Sequence, residues 1–132
     1  MSLRLKVVSD CYCVVPSPAD DSVWGSSLGY PGSVIHLDPG SNPPAIAMAE
    51  IYNVPAPGYS PRVMDIDSQG VVWTSLASGH LGSFDGRKCK VVNGPTATRN
   101  HCPESWTLYP YPGPQFVSVP IRAGPRQVTP PG

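Results

Sequence analysis

Apolar and β-prone residues fall in short runs of about 5–7 residues along this chain, and Gly, Pro, Asp and Ser fill the gaps between them. In VWTSLAS (72–78) the period is two: Val72, Thr74 and Leu76 point one way, and Trp73 and Ser75 the other, as on a strand. Both sides of that strand carry apolar side chains, so it is expected to be covered on both faces. No window of a dozen residues shows a helical stripe. The nearest candidate, AIAMAEIY (45–52), is short and lies between Pro44 and Pro55.

The runs repeat. With Trp24 placed over Trp73, an offset of 49, VVPSPADDSVW (14–24) lies over VMDIDSQGVVW (63–73). SVIHLD (33–38) matches LGSFD (81–85) at an offset of 47, with Leu37 over Phe84 and Asp38 over Asp85. EIYNVP (50–55) matches TLYPYP (107–112) at an offset of 57, with Tyr52 over Tyr109. The second unit therefore carries an insertion of about ten residues within CKVVNGPTATRNHC (89–102).

Strands are expected at 12–16, 22–27, 33–37 and 49–54 in the first unit, and at 61–66, 71–77, 80–85 and 105–110 in the second. The SGH kink at 78–80 is read as a turn in which Gly79 supplies the freedom.

A four-stranded antiparallel meander of this length is the unit of a β-propeller blade. The chain is read as all-β, with two propeller-like blades: residues 12–57 and 58–116, flanked by an N-terminal extension (1–11) and an off-pattern, flexible tail (117–132). A blade buries its two faces against its neighbours, which gives the repeated Trp24 and Trp73 their packing role. Two blades leave open faces and edges, an aggregation liability that self-association covers. A homo-oligomer, dimer or trimer, is expected; the competing arrangement is a monomeric two-sheet sandwich.

SPRVMDIDSQGVVWTSLASGHLGSFD (60–85) resembles blades of the virginiamycin B lyase-like (streptogramin lyase-like) β-propellers, relatives of the NHL-repeat propellers. Those blades follow Pro-x-Gly/x-hydrophobic-x-Asp-x-x-Gly-x-hydrophobic-Trp, then Gly-x-hydrophobic-x-x-Phe-Asp. Residues 12–57 are a weaker copy, and the resemblance covers roughly 12–116. It implies a slice of a longer bacterial protein, periplasmic or secreted. Such propellers usually have about six or seven blades. The lyases use a His/Glu site with a divalent metal, and no residue here matches that site.

Composition narrows the classes. With 18 Pro and 13 Gly, helices are disfavoured, and the 40% hydrophobic content argues against a disordered middle. Nine basic and nine acidic residues cancel, leaving no footprint for nucleic acid or an anionic membrane. No apolar stretch is long enough for a membrane helix. The N-terminus, MSLRLKVVSD, lacks the apolar core and cleavage site of a secretory signal.

Candidate chemistry is sparse. Cys89 and Cys102 bracket the insertion and are expected to form a disulfide in an oxidising compartment. Cys11 and Cys13 alternate on one strand and face opposite ways. Asp65–Gly70 begins like a calcium loop but has Gln69 at the fifth position and Leu76 at the twelfth, so it is read as a strand followed by a polar turn. His80, His101 and Glu104, with His36, are the candidates for a ligand-binding or acid–base cluster. Ser75, Ser78 and Ser83 lie near His80 with no sign of a nucleophile–base pair. No cofactor loop and no metal set is present. Pro-rich pieces at 41–45, 109–115 and 129–132 are read as strand ends rather than polyproline ligands.

The expected function is a non-enzymatic, self-associating structural or ligand-binding module with an unknown small-molecule ligand. The alternatives are a metal-dependent lyase or hydrolase on a cyclic or lactone substrate, by fold analogy alone, and a gene fragment with no selected activity.

Overall fold

A computed structural model describes residues 11–113, except 44, 46 and 93. The N-terminal extension before Cys11 and the tail from 117 onward lie outside the described residues.

The described chain forms eight strands: β1 (Cys11–Pro16), β2 (Val23–Ser27), β3 (Ser33–Asp38), β4 (Met48–Asn53), β5 (Pro61–Ile66), β6 (Val72–Leu76), β7 (His80–Phe84) and β8 (Trp106–Pro110). They pair as two open antiparallel meanders, β1-β2-β3-β4 and β5-β6-β7-β8. Neither sheet closes into a barrel. The turns are made as their residues dictate. In the β6–β7 hairpin Leu76 pairs with His80, and Gly79, at φ 87°, donates its N–H to the Leu76 carbonyl. The long β7–β8 connection contains two 3-10 turns, Gly86–Lys88 and Pro103–Ser105.

Repeat equivalence is physical as well as sequential. Asp38 ends β3 and Asp85 directly follows β7, and each accepts a backbone N–H two residues on, from Gly40 and Arg87. Trp24 stacks near Tyr52 (centroids 6.5 Å apart, planes at 24°), and Trp73 stacks near Tyr109 (6.0 Å, 23°). Both first strands carry a bulge, between Cys11 and Cys13 and between Pro61 and Met64.

One alignment needs correction. Trp24 pairs with Val15, whereas Trp73 pairs with Asp65. β1 therefore corresponds to β5 at an offset of 50, not the 49 that holds for β2 and β6. The extra residue sits in the β1–β2 turn. A one-residue slip exchanges the faces of a strand, so Val14 corresponds to the buried Met64 and not to the exposed Val63.

The face of each sheet that carries the repeated Trp and Tyr is termed the front. The front of the first sheet (Trp24, Val34, Tyr52) is buried against the back of the second (Met64, Ile66, Val72, Leu76, Phe84). Burial then reverses between equivalent positions. Phe84 is 0% exposed while Leu37 is 40% exposed; Tyr52 is buried while Tyr109 is 46% exposed. The two sheets are stacked front to back in the same sense, not face to face. Strand β5 lies closest, against β1 and β2, where the Ser26 hydroxyl donates to the Arg62 carbonyl at 2.6 Å. Further out, rings fill the gap: Phe84 lies 4.6 Å from Tyr52, 5.2 Å from Trp106 and 5.8 Å from Trp24 between centroids.

Gly32, at φ +76°, lets the β2–β3 turn pass under β5. A Cβ there would lie 2.6 Å from Pro61 Cδ and 2.8 Å from the Ser27 carbonyl. Gly32→Ala is expected to lower stability by at least ~1–2 kcal/mol through the left-handed backbone alone, and urea unfolding checks it. An unchanged midpoint would contradict this packing.

Candidate functional site

The polar chemistry that the fold brings together lies at the outer part of the sheet interface. In the β3–β4 pair His36 faces Glu50, and Tyr52 lies two residues on, so all three side chains share the front of the first sheet. The Glu50 carboxylate receives the Tyr52 hydroxyl at 2.7 Å and meets His36 Nδ1 at 3.1 Å. The His36 ring lies 4.5 Å from the Trp24 ring. His101, from the β7–β8 connection, packs on Tyr52, with ring centroids 4.8 Å apart. Burial, the hydrogen bond to Glu50 and the charge of Glu50 all raise the Tyr52 phenol well above its ordinary value. Tyr52 thus stays a neutral donor to Glu50.

This cluster overlaps only in part with the sequence candidates. His36 belongs to it, and so does His101. Both its ring nitrogens are buried without a hydrogen-bond partner among the described residues, as are Ser105 Oγ and Trp106 Nε1. Glu104 is exposed and accepts the Lys90 N–H at 3.0 Å, which holds its carboxyl below the usual range; His101 is near enough to add to that effect. His80 lies elsewhere, at the start of β7, four residues and roughly 13 Å of strand from Phe84. Glu50 escaped sequence reasoning. Its signal was the hairpin register with His36, which is legible only once the length of the β3–β4 loop is fixed.

His80 has its own partner. Ser78 Oγ lies 2.9 Å from His80 Nδ1, across the Gly79 turn. It is not arranged for nucleophilic attack. Both residues are buried, and the hydroxyl also accepts the Tyr59 N–H at 3.1 Å. The pair locks the β6–β7 turn.

In the Asp65–Gly70 stretch, Asp65 and Ile66 end β5 and the residues after them form the turn. Asp67 accepts the N–H groups of Gln69 and Val71 and the Trp73 indole N–H. The indole bond is the largest of the effects that hold its carboxyl low. Among the described residues, the group able to gather three metal ligands is Cys89, Cys102 and Glu104, with ligand atoms within 4.8 Å. Cys89 and Cys102 are joined as a disulfide. Cys11 lies over Gly25 on the back of the first sheet, while Cys13 packs against the core. The strand bulge does not bring the two thiols together.

A separate open cleft of about 710 Å³ lies at the end of the first sheet. Tyr12, Tyr30, Asn53 and Arg99 line it. The Arg99 carbonyl accepts the Asn53 N–H at 2.7 Å, which ties the β7–β8 connection to β4. The Asn53 amide is already engaged there: it accepts from Ser33 at 3.1 Å and donates to Asn100 at 2.9 Å. Compared with models of protein families, with curated proteins and with solved structures, the chain matches none.

Two outcomes follow. Tyr52→Phe is expected to cost ~1–3 kcal/mol at pH 7, as the loss of a hydrogen bond to a carboxylate. Because the folded phenol titrates above the unfolded one, its contribution is complete below about pH 10 and declines as pH rises further. The gap between wild type and Tyr52→Phe should therefore narrow at pH 10.5 in urea titrations; a constant gap would contradict the raised phenol. Reducing the Cys89–Cys102 bond reopens a loop whose ends are 13 residues apart, and should cost ~3 kcal/mol by the chain-entropy relation. Thermal unfolding with and without reductant reads this loss.

Proposed function

We propose that this chain is a pair of β-propeller-type blades acting as a non-enzymatic structural or ligand-binding module, and that it is allied to the streptogramin lyase-like propellers. The observation that carries the reading is the same-sense stacking of two repeat-related meanders. A propeller is built by repeating that one contact, whereas a sandwich turns like faces toward each other. The closest approach at first strands β1 and β5, with large rings filling the outer gap, is the wedge that such stacking needs.

The binding half of the proposal rests on the Tyr12–Tyr30–Arg99 cleft. The His36–Glu50–Tyr52 network, by contrast, is consumed by its own hydrogen bonds within β3 and β4 of the first sheet. It is read as a part-buried polar group that is satisfied in one β3–β4 register only.

A double-mutant cycle tests the stacking. Trp24→Ala and Phe84→Ala are expected to couple by ~0.5–1.5 kcal/mol, because their rings meet across the sheets. Trp73→Ala and Phe84→Ala should be additive within ~0.5 kcal/mol, because those rings lie on opposite faces. Coupling in the second pair and none in the first would end the reading.

A further inference from the structure

The stacking leaves two unlike surfaces open. On the front of the second sheet, Trp73, Leu81 and the exposed Tyr109 lie together with Val63, which is 61% exposed. On the back of the first sheet, Val14, also 61% exposed, lies with Val23 and Leu37. By the repeat correspondence, the first surface is the counterpart of the buried front of sheet one. The second is the counterpart of the buried back of sheet two. The interior of the chain therefore already contains the contact that these two surfaces would make.

We infer that a second copy of this chain docks head to tail: the Trp73–Leu81–Tyr109 front of one copy receives the Val14–Val23–Leu37 back of the next, in the register that joins the two sheets within one copy. This rests on the stacked-blade reading above and adds the partner and the surfaces.

Three features favour this occupant. The Trp73–Tyr109 ring pair is already set in the geometry of Trp24–Tyr52. Where that inner pair closes on Phe84, the outer pair would close on its counterpart Leu37. Ser26 donates to the Arg62 carbonyl inside the chain; its counterpart Ser75 would donate to the Tyr12 carbonyl of the next copy, since β1 and β5 correspond at an offset of 50. A formal net charge of +0 sets up no long-range repulsion between copies. A two-fold pairing of fronts would leave both backs uncovered. The head-to-tail contact covers both surfaces, and it generates a ring if the rotation closes.

Light scattering on a sizing column tests the assembly. The unaltered chain is expected at a mass of two or more times 14.0 kDa. Tyr109→Glu, on one surface, and Leu37→Glu, on the other, should each run as a single chain with an unchanged far-ultraviolet circular dichroism spectrum, because both side chains are exposed within one copy. Mixed in equal amounts, the two variants should form a two-chain species and nothing larger, since one intact front meets one intact back. Val63→Glu and Val14→Glu repeat the experiment if either first variant unfolds.

A single-chain mass for the unaltered protein overturns the proposal. So does a mixture that stays single-chain, or a variant that still pairs with itself. If the mass is that of one chain while Trp24 and Phe84 remain coupled, the association fails and the stacked-blade reading stands. If the coupling is also lost, both fail.

Discussion

Everything in this fold hangs on the packing of Phe84. It is fully buried, it sits on the back of one sheet, and three rings converge on it: Tyr52 and Trp24 from the other sheet and Trp106 from its own. A four-stranded meander has no core of its own. Its two faces are stabilised only by what lies against them. The Phe84 contact fixes which face of the first sheet meets which face of the second, and with that the stacking sense, the buried set and the two surfaces left over.

The polar parts follow from that constraint. Glu50 and His36 sit at the margin of the ring cluster, where a carboxylate can accept from Tyr52 while retaining some contact with water. The β7–β8 connection, closed by Cys89–Cys102, brings His101 over Tyr52 and caps the outer side of the interface. The same connection places Arg99 at the mouth of the cleft beside Tyr12 and Tyr30. One insertion thus contributes both to the inter-sheet packing and to the lining of the cleft.

Much of the architecture was readable from residue pattern. The alternation in VWTSLAS, the Gly79 turn and the Trp, Asp and Tyr recurrences led to eight strands in two meanders, with bounds that differ from the observed ones by a residue or so. What eluded the pattern has physical causes. The β1–β2 turn is one residue longer than its counterpart, and a turn of unknown length hides the register of the strand before it, so Val14 was set against the wrong partner. Glu50 lay out of sight because its meaning depends on a hairpin register. The Ser78–His80 contact is two residues apart in sequence, yet it forms only because the turn bends both side chains inward. His80 and His101 share a residue type and nothing else; His80 opens β7, whereas His101 packs on Tyr52 beside Phe84 at the other end of that strand.

The central claim is that the two units stack front to back, so that equivalent tryptophans have opposite fates within one chain. The most direct measurement is acrylamide quenching of single-tryptophan versions of the protein, held as a single chain by Leu37→Glu. The account predicts that Trp24 and Trp106 are shielded while Trp73 is readily quenched. Equal shielding of Trp24 and Trp73 would mean that the two fronts face each other, and would contradict it.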